Sequence, residues 1–224
     1  MENTQQILDT MIQANFDYTK PLYHGTNMDF NSKRLKVFSS EDDKYANELW
    51  DSFYLTNDEE QAKNYAQERF NDTNQKGLIL VKKFKLDISK FTEKLKFDVY
   101  NSLDDRTARF IASNVLKERL EECQFLDNSC YKCNERCPRN SEFVYGILID
   151  SVIDEVLKGI HQGLSNEEIS NLIYEAVGFI KNPIYQLAVR ESALHFLIPI
   201  ETVFYEQDQD TGELKVVSRR SEVG

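Results

Sequence analysis

The run Phe143-Val144-Tyr145-Gly146-Ile147-Leu148-Ile149 constrains the fold most. It is continuously β-rich and carries no charge, so it needs cover on both faces and is read as a central strand. Shorter strand-type runs lie on either side of it: Leu22-Tyr23 leading into His24, Phe53-Tyr54-Leu55, residues 77–86 (GLILVKKFKL) and residues 184–189 (IYQLAV). A last hairpin over 201–220 turns at Asp210-Thr211-Gly212.

Helical periods alternate with these strands. Ile7, Leu8, Met11 and Ile12 share one face over 3–15. Thr56 or Asn57 is expected to cap a second helix, with Asp58, Glu59 and Glu60 in its first turn as the helix dipole favours. Ala62, Tyr65, Ala66 and Phe70 line one side of that helix. A third is expected over 102–122, with Ala108, Ile111, Ala112, Val115, Leu116 and Leu120 on its apolar side. A fourth, over 165–179, opens with a capping box formed by Ser165 and Glu168. Residues 27–49 are polar and mixed, and read as loop with short helical pieces. The expected class is α+β: one domain over 1–224, without repeats or linkers, carrying an inserted cysteine-rich module at 123–138.

The chain has 27 basic and 38 acidic residues, a net charge of −11. That balance gives no strong nucleic-acid signal and argues against a surface built to hold a phosphate backbone. The opening MENTQQILDTMIQANF has neither a basic flank nor a long apolar run, so it does not read as a signal peptide. No run approaches the roughly 20 apolar residues of a membrane span. A cytoplasmic protein with no membrane partner is expected.

All four cysteines fall in one segment: Cys123, Cys130, Cys133 and Cys137, with Pro138 closing it. Four soft ligands in so short a stretch fit a tetrahedral zinc site. Such a zinc would be structural, because four thiolates leave no open position. Free thiols and disulfides are the other readings. Disulfides are disfavoured because nothing points to export. An iron–sulfur cluster fits the ligand type, but the charge-rich surroundings lend it no support.

The stretch Leu22-Tyr23-His24-Gly25-Thr26 interrupts a strand with a ring hydrogen-bonding group and a permissive backbone. That is an ordinary turn or a ligand platform. Three pieces in order favour the platform: His24 in LYHGT, Tyr54 in FYLT with AKNYAQ behind it, and Gln186 in YQLAV with ESALHFL after it. Together they resemble the ADP-ribosyltransferase superfamily, in the branch marked by a His, a Tyr and a third polar residue on a late strand. More narrowly, they resemble an uncharacterised bacterial family often found with toxin–antitoxin genes. The resemblance covers residue 22 to about residue 200. This chain departs from it at Ser52, where the family has Gly, and over Tyr145–Ser151, where only Asp154 of a following acidic pair is kept.

The resemblance implies a split β-sheet core with flanking helices, and NAD as substrate. His24 would bond the adenosine ribose. The peptide groups of Gly25 would hold the nicotinamide carboxamide, with Thr26 beside them. Tyr54 would stack on the nicotinamide ring, and Tyr65 is either a second aromatic wall or part of the core. Gln186 takes the place of a glutamate that would bond the nicotinamide ribose. A glutamine keeps the hydrogen bonds and loses the charge. It implies transfer of a single ADP-ribose, a slower enzyme, or help from a carboxylate such as Glu191 or Glu201. The acceptor would be a protein or another macromolecule, and an antitoxin a further partner. The alternative is a binding domain for NAD or ADP-ribose without turnover, with a zinc loop that docks a partner. His161 and His195 read as structural.

Overall fold

A computed structural model describes residues 2–37, 52–73, 77–92, 95–103, 107, 111, 141–148, 162–180 and 183–223. The fold is α+β. Its strands are β1 (Leu22–Thr26), β2 (Phe53–Leu55), β3 (Ile79–Leu86), β4 (Phe97–Tyr100), β5 (Phe143–Leu148), β6 (Ile184–Val189), β7 (Leu197–Gln207) and β8 (Leu214–Ser221). Its helices, among the described residues, are α1 (Glu2–Gln13), α2 (Glu59–Asp72) and α3 (Asn166–Phe179). The strands form two four-stranded sheets, ordered β1-β3-β7-β8 and β2-β6-β5-β4.

The chain divides into two compact units. The first holds residues 1–36, 54–93 and 192–224; the second holds 37–53 and 94–191. In the first unit β1, β3, β7 and β8 are antiparallel throughout. Helix α2 covers one sheet face, burying Ala62 and Ala66 against Ile79, Val81, Val203 and Tyr205. Small residues at i and i+4 let the helix axis approach the strands closely. The cap is Asp58 rather than Thr56 or Asn57: its carboxylate accepts from the Glu60 and Gln61 amides. Thr56 is instead bridged to Tyr23, and the Asn57 amide donates to the Pro21 carbonyl. Along α1, Ile7 and Met11 are buried, whereas Ile12 is 58% exposed.

In the second unit, β5 is parallel to β4 and antiparallel to β6. Phe143, Val144 and Ile147 are fully buried, as a central strand requires. Strand β4 is a short element that the sequence reading leaves unassigned. The Ser165–Glu168 capping box is present, and Ile169, Ile173 and Val177 form the buried stripe of α3. Of the helix expected over 102–122, Ser102 and Leu103 are exposed and not helical, Thr107 and Ile111 are buried and helical, and the rest lies outside the described residues. No described helix is long and apolar enough to cross a membrane.

Candidate functional site

Strand β1 belongs to the first sheet by one edge and touches β2 by the other. The second contact is a single bridge: the Tyr23 N–H donates to the Thr56 carbonyl at 2.8 Å, and the Thr56 N–H donates back at 3.0 Å. Peptide groups alternate sides along a strand, so those of Gly25 face the same edge as those of Tyr23. The bridge does not extend to Gly25. Instead a side chain spans the edge, with His24 Nδ1 lying 2.8 Å from the Tyr54 carbonyl oxygen.

A carbonyl only accepts, so Nδ1 carries the proton and Nε2 keeps its lone pair. Burial lowers the His24 pKa to about 4, the nearby cations Lys82 and Arg69 lower it further, and the bond to Tyr54 partly opposes the shift. The imidazole is therefore neutral at pH 7, with Nε2 as its acceptor nitrogen.

Gly25 is buried under α2. A Cβ built on it would meet the Ala62 carbonyl oxygen at 1.8 Å. The helix thus occupies the side where a side chain would project. Thr26 ends the strand in a local turn, its hydroxyl accepting from the Met28 amide at 3.2 Å. Tyr54 is half-buried on β2. Tyr65 stands at the surface of α2 with 37% exposure. Its hydroxyl accepts from Arg69 Nε at 2.9 Å, and the guanidinium lies 5.1 Å from its ring centroid. Arg69 is thereby tied to Tyr65 on the helix that backs Gly25.

On the opposite face of the first sheet runs a polar row that the sequence reading misses. His24 stands across from Lys82, Lys82 from Thr202, and Thr202 from Arg220. Lys82 is 0% exposed. Its ammonium donates to Asp29 Oδ1 at 2.9 Å, to the Phe30 carbonyl at 2.8 Å and to Ser32 Oγ at 3.2 Å. Asp29 also receives both guanidinium arms of Arg220, at 2.7 and 2.9 Å. The Arg220 and Lys82 bonds hold its carboxyl well below the usual carboxylate range. A signal does exist in the sequence: two adjacent lysines inside GLILVKKFKL must point to opposite faces, so one of them faces the core side.

Gln186 belongs to the second unit. It is 7% exposed on β6, which lies between β2 and β5 and so is not an edge strand. Its cross-strand partner is Gly146, which leaves no side chain beside it on that strand. Of the two carboxylates considered as helpers, Glu191 accepts the Val37 amide at 2.7 Å and Glu201 is paired to Arg219 at 3.0 Å. His195 is exposed, its ring 4.0 Å from that of Phe196. Cys123, Cys130, Cys133, Cys137, Asp154 and His161 lie outside the described residues. Among the described residues no cluster of His, Cys, Asp and Glu has the arrangement of a metal site.

The candidate residues from His24 to Gln186 fall within the span of one family. No curated protein and no solved structure matches the chain. A family model described as a protein of unknown function, DUF3990, matches residues 21–189, which is most of the chain, and the protein belongs to that family.

Proposed function

We propose that the protein is an NAD-dependent mono-ADP-ribosyltransferase, acting as a bacterial toxin or effector on a macromolecular acceptor. The observation that carries the reading is the join of His24 to Tyr54 beside the Gly25 peptide groups. A neutral imidazole that donates from Nδ1 to the Tyr54 carbonyl has Nε2 as its acceptor atom, the kind of group that bonds a ribose hydroxyl. Next to it, one peptide N–H and one C=O on the same edge match the acceptor and donor of a carboxamide. Tyr54 supplies an aromatic face for the nicotinamide ring, with Tyr65 as the second wall.

In the reaction the bond between ribose C1′ and the pyridinium nitrogen breaks. Its electron pair leaves with nicotinamide and cancels the ring's charge, so little acid catalysis is needed. The acceptor's nucleophilic atom bonds to C1′ and gives up its proton. The transition state is oxocarbenium-like, as in glycoside cleavage. The protein's share is positioning and polar stabilisation, with Gln186 assigned to the nicotinamide ribose.

The second reading, a domain that binds NAD or ADP-ribose without turnover, is favoured by one observation. Gln186 is neutral, and both Glu191 and Glu201 are already engaged by other partners. For the segment outside the described residues, Cys123, Cys130, Cys133 and Cys137 remain proposed ligands of one structural zinc. Incubating the protein with labelled NAD and a bacterial lysate tests the main reading. Labelled macromolecules and released nicotinamide support it, and loss of NAD binding in folded His24→Ala and Tyr54→Ala variants places the site. Calorimetry showing no NAD binding at millimolar concentration would remove it.

A further inference from the structure

Asp29 sits three residues after Thr26 and is gripped from two strands. Lys82 reaches it from β3 and Arg220 from β8, the latter with the two parallel bonds that fit a guanidinium to a carboxylate. Lys82 also holds the next residue twice, through the Phe30 carbonyl at 2.8 Å and under the Phe30 ring at 4.5 Å from its centroid. Glu222 completes the end of the row: its Oε1 accepts from Thr202 at 2.6 Å and from Arg220 Nε at 3.1 Å. What this grip presents is the Phe30 ring, edge-on to the His24 imidazole with centroids 5.7 Å apart. The imidazole is thus fixed at two points, by Tyr54 at Nδ1 and by Phe30 on its flank.

We propose that the Asp29–Arg220–Lys82 clamp is a positioning device for His24, holding Phe30 against the half-buried imidazole so that Nε2 keeps one direction. A buried lysine with its carboxylate is costly compared with an apolar pair of the same volume. On a strand face that Leu22, Leu80 and Phe84 otherwise fill, apolar residues would have sufficed for packing alone. The ionic arrangement fixes the direction of the chain at 29–32, which an apolar contact does not. Arg220 is 45% exposed at its side chain, so its removal slackens the clamp from outside without opening the core. The consequence for NAD rests on the proposed role of His24; the coupling between Arg220 and the imidazole does not.

The test uses the full chain, with Arg220→Gln and Arg220→Lys. Two measurements are made: the titration of His24 by histidine-labelled NMR, assigned with His24→Asn, and NAD affinity by calorimetry. The charged groups acting on the imidazole are Lys82 on β3 and Arg69 on α2, and Asp29 in the loop is paired to Lys82. Arg220→Gln touches none of them directly except Asp29, whose negative charge remains. In Arg220→Gln the His24 midpoint rises toward the ordinary histidine value as more water reaches the ring, and NAD binds roughly tenfold more weakly. Arg220→Lys, which keeps the cation and loses the fork, falls between. In a His24→Asn background Arg220→Gln weakens NAD binding no further. An unchanged His24 midpoint in folded Arg220→Gln overturns the inference, whether or not NAD binds. A raised midpoint in a protein that never binds NAD keeps the inference and removes the transferase reading. Should Arg220→Gln not fold, the same midpoint is read in Arg220→Lys.

Discussion

Gly25 and Ala62 are in contact through backbone alone: a Cβ on Gly25 would stand 1.8 Å from the Ala62 carbonyl oxygen. Helix α2 lies this close because Ala62 and Ala66 are the residues that face the strand. The glycine therefore serves the helix–strand contact on one side, while its peptide groups face the β2 edge on the other.

Gly25→Ala is expected to destabilise the fold by about 3 kcal/mol or more, since a helix backbone must move to admit one methyl group. Thermal or urea unfolding measures it. A variant as stable as the parent would mean that α2 shifts freely and that Gly25 serves only ligand approach.

Stability should fall in mild acid through His24. In the unfolded chain the imidazole binds a proton near pH 6.5; in the folded protein it does so only near 4. Between those values the unfolded state holds more protons, so stability rises with pH and is lost as pH drops through the window. The loss is roughly 1–3 kcal/mol. Unfolding measured from pH 7 to 4 should show this slope in the parent and a flatter one in His24→Asn. Equal slopes would place the protonation elsewhere.

Gln186→Glu should raise nicotinamide release roughly tenfold, which requires about 1.4 kcal/mol of added transition-state stabilisation. Gln186→Ala should lower it by removing a hydrogen bond to the ribose. Nicotinamide release per minute, assayed for the three proteins side by side, separates the two readings. If all three bind NAD equally and none releases nicotinamide above background, the protein is a binder.

Protein purified without chelator should carry about one zinc per chain, lost in Cys130→Ser or Cys133→Ser. Elemental analysis with a thiol titration measures this. Four thiols that react freely in the native protein contradict a metal site.

Local elements were legible because their signals are local. The Ser165–Glu168 box, the central run at 143–148 and the turn at Gly212, where φ is +73°, depend on a few adjacent residues. The Asp58 cap was misplaced by a residue or two because Thr56 and Asn57 are equally good caps in isolation. In the structure the Thr56 hydroxyl accepts from the Asp58 amide and donates to Gln61 Oε1, and the Asn57 side chain bonds Pro21, which leaves the Glu60 and Gln61 amides to Asp58.

By itself the sequence determined which residues are candidates for chemistry: His24, Gly25, Tyr54 and Gln186 stand out by type and order. It also determined the α+β class, through the alternation of strand runs and helical periods. Tertiary structure decided how those residues are held. The Nδ1 proton of His24 follows from the Tyr54 carbonyl, 30 residues away in the chain. The grip on Asp29 follows from Arg220, 191 residues away. Hydrogen bonds and ion pairs act over a few ångströms in space, and a linear order of residues does not state which distant groups will share those ångströms.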